Sequence, residues 1–141
     1  MRVDEDRAGV VLRSHAAFNE RDRSALFSCL AHDVVWHVGG RHPLAGSYQG
    51  TDSLWDGFMG PMWASPARIA DDELRAHGDY VLAVGHAIHN FGEGEQRFET
   101  IEVLHVKDGL IAERWEFTSR QEELDQFLIR GCAAAAELTS D

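Results

Sequence analysis

The chain of 141 residues is long enough to bury a core of its own without disulfides or metal, since 44% of its residues are hydrophobic. Its formal net charge of -11 at pH 7 opposes binding to nucleic acid, which relies on lysine and arginine. No apolar run approaches the roughly 20 residues that cross a bilayer, the first residues carry no hydrophobic secretion signal, and two cysteines are too few for a disulfide framework. We therefore expect one globular domain over residues 1–141, located in the cytoplasm.

The first third of the chain predicts two helices and a strand. Apolar residues recur at near-helical spacing over residues 7–19, and a short second helix follows Asp22, whose side chain can cap it. Residues 34–38 alternate in a period of two, which predicts a strand with His37 on the face opposite Trp36. Two glycines and a proline then end the strand. A titratable side chain at such a strand end is a candidate for the mouth of a pocket.

The rest of the chain predicts a third helix, a run of strands and a terminal helix. The third helix begins at Thr51 or Asp52 and ends or kinks at a glycine-proline pair further on. The hydrophobic period then changes to two and predicts a meander of four strands joined by turns, over residues 67–77, 80–91, 97–107 and 110–119. Residues 121–138 predict a last helix, so that residues 121–141 form a C-terminal helical tail on the domain.

Four segments in this order of elements resemble a known family. The segments DVVWHVGG, HPLAGSYQG, VLHVKDGLIAERWEF and LDQF are similar to those of SnoaL-like proteins, which share a superfamily with ketosteroid isomerase, scytalone dehydratase, limonene-epoxide hydrolase and nuclear transport factor 2. The resemblance covers nearly the whole chain. It implies an α+β, cone-shaped and barrel-like fold, in which a strongly curved, mainly antiparallel sheet wraps around an N-terminal helix hairpin and a third helix. It also implies one apolar pocket, on a scaffold that carries both enzymes and non-enzymes.

The resemblance to ketosteroid isomerase suggests two candidate catalytic residues. Glu102 shares a strand face with mostly apolar residues, so burial would raise the pKa of its carboxyl group and keep it protonated. Matching the two sequences implies that Glu102 is the oxyanion-stabilising acid and that His37 is the general base. Ser14 and His15 stand where that family has a tyrosine, so the phenol half of the oxyanion site is missing.

The last strand can be oriented in two ways. By hydropathy, Ile111, Trp115 and Phe117 should face the core. The resemblance implies the reverse, with Glu116 in the pocket as the last-strand acid of limonene-epoxide hydrolase and Arg114 orienting it. We follow the resemblance, because the outer face would then be too apolar for a monomer and would favour a homodimer. This expected outer face comprises Val34, Trp36, Ile101, Val103, Trp115 and Phe117.

Ten further residues are candidates for contact with a ligand. His89 is one by strand parity with three small residues, which leave room next to the sheet. Aromatic residues would form much of the wall, and the Tyr48 hydroxyl could donate to a ligand. The full set is Ser14, His15, Tyr48, Trp55, Phe58, Trp63, His89, Thr100, Leu104 and Thr118. We expect no metal and no cofactor, since His37, His89 and Glu102 would meet at one ion only by coincidence.

These residues predict a cofactor-independent enzyme that uses general acid/base chemistry on a small apolar cyclic molecule, such as a polyketide-, terpenoid- or steroid-like metabolite. The reaction would be an isomerisation, cyclisation, dehydration or epoxide opening, each of which needs an acid and a base in a dry cavity. His37 would take or relay a proton, Glu102 would donate one, and Glu116 with Arg114 would hold a water or a polar substituent. The alternatives are a non-catalytic ligand-binding module and a dimerisation module of the same fold.

Overall fold

The computed structural model describes the backbone of residues 2–90 and 94–139 and the side chains of residues 7–90 and 94–133. Within these ranges the helices are α1 (Arg2–Glu20), α2 (Arg23–Ser28), α3 (Thr51–Leu54), α4 (Gly60–Trp63) and α5 (Gln121–Thr139). A π-helical turn, Trp55–Met59, joins α3 to α4. The strands are β1 (Leu30–Val38), β2 (Gly46–Gln49), β3 (Arg68–His77), β4 (Tyr80–His89), β5 (Gln96–Lys107) and β6 (Leu110–Thr118).

The strands form one curved sheet that does not close. Their order is β2-β1-β6-β5-β4-β3, and neighbours are antiparallel except for the parallel pair of β1 and β6. The predicted α+β class, the mainly antiparallel curved sheet and the four-strand meander are confirmed. Strand β2 was not predicted, because its four residues show no alternation of buried and exposed side chains. Residue 91, expected at the end of β4, lies outside the described residues.

Two helix boundaries follow from local chemistry. The Asp22 side chain accepts a hydrogen bond from the backbone N–H of Ala25 at 3.1 Å, which caps α2 as predicted. The glycine-proline pair after the π-helical turn does not end the third helix, because Pro61 falls in the first turn of α4, where its missing N–H costs little. None of the described helices is long and apolar enough to cross a membrane.

The helices pack on one face of the sheet, which we call the inner face. Helix α1 contributes Val10, Val11 and Phe18 to the main core, and Leu26 of α2 joins them. Helix α5 packs separately, through a small cluster of Phe98, Leu124, Phe127 and Leu128. The opposite side of the sheet is the outer face, and side chains alternate between the two faces except where a strand bulges.

A bulge in β3 changes which residues face inward. Asp71 pairs with Gly85 and Glu73 pairs with Val84, so Asp72 is one extra residue in the strand. Before the bulge Ile69 faces the interior, and after it the inward positions are Leu74 and Ala76, which pack against the main core. The bulge therefore lets one strand point an acidic side chain inward at Asp71 and apolar side chains inward further along.

A second bulge, in β6, accounts for the two orientations that the sequence leaves open. His105 pairs with Glu113 and Val106 pairs with Ile111, which leaves Ala112 as the extra residue. Ile111 is fully buried before the bulge, and after it Arg114 is buried on the same face. The hydropathy expectation is thus right for Ile111 and wrong for the two aromatic residues that follow. The resemblance is right for Arg114 and Glu116.

The expected outer face needs a correction at β1. Val34 and Trp36 are 0% and 5% exposed and lie on the inner face: both belong to the main core, and Trp36 is the register partner of the inward-facing Arg114. Placing them outside was wrong. Ile101 and Phe117 are 44% and 56% exposed and do lie on the outer face, as expected.

The β3 bulge predicts the effect of a single added methyl group. A Cβ at Gly85 would lie 2.2 Å from the carbonyl oxygen of Ala70, so Gly85→Ala forces the backbone to move. We expect the free energy of unfolding in urea to fall by about 1–3 kcal/mol. Gly39→Ala is the matched control, since its nearest non-neighbouring atom would be 3.9 Å away. Equal unfolding midpoints for the two variants would contradict this account of the bulge.

Candidate active site

A cavity of about 60 Å³ lies between the helices and the inner face of the sheet. One part of its wall is apolar and includes Phe18, Leu26, Trp36, Phe58, Met59 and Met62. The other part is polar and includes Ser14, His15, His89, Glu102, Arg114 and Glu116. A cavity of about 150 Å³ holds benzene, so a cyclic ligand would need this cavity to widen.

Five charged side chains form a continuous series of contacts at the polar wall, in the order Asp71, His15, Glu102, Arg114 and Glu116. His15 Nδ1 lies 2.8 Å from each oxygen of Asp71, and His15 Nε2 lies 2.9 Å from Glu102 Oε1 as an ion pair. Arg114 donates from Nε to Glu102 Oε2 at 2.8 Å and from Nη2 to Glu116 Oε2. Negative and positive groups alternate along this series, which we call the charge network.

Four secondary-structure elements position the charge network. Helix α1 supplies His15, the bulged part of β3 supplies Asp71, β5 supplies Glu102, and β6 supplies Arg114 and Glu116. Glu102 and Glu116 are directly opposite each other in the β5–β6 ladder, an unfavourable placement for two like charges. Arg114 precedes Glu116 by two residues on the same face, so its planar guanidinium can donate to both carboxylates.

Mutual contacts keep the middle of the network ionised. Burial disfavours a charge on His15, but the carboxylates of Glu102 and Asp71 outweigh it and raise the pKa of His15 to about 10. Burial likewise opposes a charge on Glu102, but His15 and Arg114 hold its pKa well below the usual value. The expectation that burial keeps Glu102 protonated is therefore wrong. Its two cationic neighbours, which come from other elements, decide its state.

The charge network contains three carboxylates and two cations, so one carboxylate lacks a cation of its own. We assign this place to Glu116. Burial raises the pKa of Glu116; Arg114 opposes this rise, and the charge of Glu102 adds to it. The Glu116 side chain is 26% exposed and lines the cavity. Its Oε2 accepts from Arg114, and its Oε1 has no hydrogen-bond partner among the described residues. Glu116 is thus the network member that can exchange a proton with a molecule in the cavity.

His37 does not lie in the cavity. Its ring is on the outer face and 31% exposed, with Nδ1 2.7 Å from Ser47 Oγ and Nε2 2.6 Å from Glu113 Oε2. The ring also stacks on Trp115 at a centroid distance of 5.4 Å. The expectation that His37 meets Glu102 in one hollow is wrong. The strand period correctly opposes His37 to Trp36, but Trp36 faces inward and His37 therefore faces outward.

Four of the ten expected ligand contacts line the cavity: Ser14, His15, Phe58 and His89. His89 is buried, and its burial together with the nearby His42 lowers its pKa to about 4, so the ring is neutral at pH 7. The Ser14 hydroxyl donates to the carbonyl of Val11 at 2.7 Å and is thereby held within α1.

The other six expected contacts lie elsewhere. The Tyr48 hydroxyl donates to the Leu44 carbonyl at 2.7 Å. Trp55 and Trp63 pack edge to face with ring centroids 5.1 Å apart. Leu104 is fully buried in the main core. Thr100 and Thr118 pair with each other across β5 and β6 and line a separate hollow at the surface.

Asp71 is the member of the charge network that the sequence analysis missed. The signal for it was the pair Asp71-Asp72 inside an alternating strand, since two consecutive residues of a strand point to opposite faces and one of them must face inward. The described side chains include no group of three or more histidine, cysteine, aspartate or glutamate residues arranged to hold a metal ion.

The curved open sheet, the helices on its inner face and the cavity between them give this α+β protein the fold of NTF2-like proteins. The model of the SnoaL-like domain matches residues 11–114, so the chain belongs to the SnoaL-like family. No curated relative matches it by sequence.

Several solved structures share the fold. Bal32a, from a soil-derived mobile gene cassette, is 21% identical, with a TM-score of 0.80 over 89% of this chain and 98% of that one. TerC, co-crystallised with polyporic acid, is 19% identical, with a TM-score of 0.77 over 89% of this chain and 98% of that one. A putative polyketide cyclase from Sinorhizobium meliloti is 20% identical, with a TM-score of 0.64 over 77% of this chain and 94% of that one. At these identities the likeness establishes the fold alone.

The raised pKa of His15 predicts how stability depends on pH. A histidine with an ordinary value of 6.5 and a pKa of about 10 in the folded protein binds its proton more tightly when folded. Its contribution is complete below pH 6.5 and is lost as the pH rises towards 10. We expect the free energy of unfolding to decline across this window in urea titrations, and His15→Gln to flatten the decline. The exposed His32→Gln should keep the original slope, and an unchanged slope in His15→Gln would contradict the assignment.

Proposed function

We propose that the protein is a cofactor-independent enzyme that transfers a proton to or from a small apolar cyclic molecule in the cavity, with Glu116 as the proton-transferring group. The observation that carries the proposal is Glu116 Oε1, which has no hydrogen-bond partner within the described part of the chain and belongs to a carboxyl group of raised pKa in a largely apolar cavity. Two proteins of similar fold, a putative polyketide cyclase and a putative ketosteroid isomerase from Kribbella flavida, bear names that agree with this class of chemistry.

The geometry supports a division of roles. Protonated Glu116 can donate to an oxygen of the bound molecule, and the carboxylate that results is stabilised by the hydrogen bond from Arg114 Nη2. Ionised Glu116 can take a proton from carbon in the reverse sense. Glu102 acts as a positioning residue, because it holds Arg114 and His15 in place and keeps both charged. Isomerisation, cyclisation, dehydration and epoxide opening each contain such a step.

The alternative is a module that binds a ligand, or only dimerises, without chemistry. One observation favours this non-catalytic alternative: His15 and Glu102 are already bound to other side chains of the network. The two hypotheses differ at Glu116, whose free oxygen has a chemical use only if a ligand in the cavity exchanges a proton with it.

Replacement of Glu116 tests the catalytic proposal. We expect Glu116→Gln to lower the rate of proton exchange at the α-carbon of small cyclic ketones in D2O, or of turnover of small cyclic epoxides, at least about 100-fold, because the amide cannot carry the proton. Both rates can be followed by proton NMR. Glu113→Gln, on the same strand but on the outer face, should keep the wild-type rate, as should His37→Ala. A Glu116→Gln variant as fast as wild type would leave the binding module as the better reading.

We also propose a homodimer through the outer face. Side chains of three neighbouring strands form an outer apolar patch, which we define as Tyr80, Leu82, Ile101, Val103, Trp115 and Phe117. Leu82 pairs with Val103, and Val103 pairs with Trp115, so the patch is continuous across the strands. An apolar patch of this kind is unusual on a monomer and suits a self-complementary contact between two copies.

A charge placed in the outer apolar patch tests the dimer. Phe117→Glu adds a charge that a dimer would have to bury, so we expect the variant to be monomeric at concentrations at which the wild type is dimeric. Sedimentation velocity measures both. Leu12→Glu, at an exposed position of α1, should leave the dimer intact. A wild type that is still monomeric at concentrations on the order of 100 micromolar would refute the proposal.

Two further expectations stay predictions. Location in the cytoplasm is supported by the free thiols of Cys29 and Cys132, which a reducing compartment maintains. The extent of the domain, residues 1–141 with a helical tail from 121, agrees with the packing of α5 on Phe98.

A further inference from the structure

The indole of Trp36 presents a buried polar group at the cavity. Trp36 is 5% exposed and lines the cavity, and its indole Nε1 is buried without a hydrogen-bond partner among the described residues. Water does not reach this atom, and no acceptor in the described part of the chain bonds to its N–H. A buried donor without an acceptor destabilises a protein, and such a group calls for an explanation.

The ring of Trp36 is held where it is by the charge network. Trp36 is the register partner of Arg114 in the parallel β1–β6 pair, and the Arg114 guanidinium carbon lies 4.7 Å from the ring centroid. Arg114 is itself fixed by Glu102 and Glu116. The indole therefore cannot turn towards another acceptor without losing its cation–π contact with a buried arginine.

We propose that Trp36 Nε1–H is the hydrogen-bond donor for the ligand, and that the ligand presents a carbonyl oxygen to it while Glu116 Oε1 faces the adjoining atoms. This inference rests on the proposed function and narrows its substrate class to cyclic carbonyl compounds. A cyclic molecule fits only if the cavity widens, and the proposal requires that the wall to which Trp36 belongs gives way so that the indole N–H reaches the ligand. Bound hydrocarbon would leave the N–H unsatisfied, so the site discriminates against it.

Trp63 provides a matched control within the chain. Its Nε1 is also buried without a partner among the described residues, but its ring packs against Phe18 and Trp55 and does not line the cavity. If an unsatisfied indole is only a defect of packing, the two tryptophans should respond alike to a ligand. If it is a binding group, only Trp36 should respond.

The experiment compares two probes of nearly the same shape, cyclohexanone and methylenecyclohexane, in which a CH2 group replaces the oxygen. We expect Trp36→Phe to weaken the binding of cyclohexanone about 3- to 10-fold and to leave the binding of methylenecyclohexane unchanged. Trp63→Phe should bind both probes as wild type does. Among the indole N–H signals of the four tryptophans in nitrogen-15 NMR, that of Trp36 should move most on addition of cyclohexanone.

Stability provides the second readout. Cyclohexanone should raise the melting temperatures of wild type and of Trp63→Phe, and should raise that of Trp36→Phe less, because a ligand stabilises the folded state in proportion to its binding. No binding of cyclohexanone to wild type, an unchanged affinity for cyclohexanone in Trp36→Phe, or an equal loss for both probes in Trp36→Phe would overturn the inference. The failure of this inference can be told apart from the failure of the proposed function. If Glu116→Gln is inactive and Trp36→Phe binds cyclohexanone as wild type does, only the role of Trp36 is removed. An active Glu116→Gln removes only the proton transfer.

Discussion

The double contact of Arg114 with Glu102 and Glu116 is the interaction on which the site depends. The two carboxylates are directly opposite each other on neighbouring strands, where their charges would repel if no cation lay between them. Arg114 is buried, donates to both, and its guanidinium also covers the face of Trp36. Buried ion pairs add little net stability, because desolvation offsets their attraction. Their directional hydrogen bonds nevertheless fix where each carboxyl oxygen points, which a catalytic or binding site requires.

Much of the fold could be predicted from the sequence, because the spacing of hydrophobic residues shows whether a segment is a helix or a strand and which of its faces is buried. The helices over residues 7–19 and 121–138 and the four-strand meander follow from it, as does the inward orientation of Glu102 among apolar residues of β5. The two bulges could not be predicted. An extra Asp72 or Ala112 has no compositional signature, yet each reverses the parity of every later residue in its strand. Strand β2 was missed because a short edge strand shows no alternation.

The candidate site was predictable in part, for a related reason. Burial alone indicated a neutral Glu102, since desolvation disfavours a charge. The actual state depends on His15 from α1 and Arg114 from β6, and neither contact follows from the local pattern around Glu102. The placement of His37 failed at a single step, the assignment of Trp36 to the outer face. Because neighbouring residues of a regular strand face opposite sides, this one wrong assignment placed His37, the expected general base, in the pocket although it lies at the surface.

The parallel pairing of β1 with β6 also bears on how the chain reaches this state. Arg114 Nη1 donates to the backbone carbonyl of His37 at 3.3 Å, although the two residues are 77 positions apart in sequence. Loop closure over such a distance is entropically costly, and native topologies with many distant contacts fold slowly. On a ribosome, β1 can pair with β2 early, but most of the chain has to be synthesised before its parallel neighbour β6 exists. The wall that carries Trp36 and Arg114 would then be among the last parts of the molecule to consolidate.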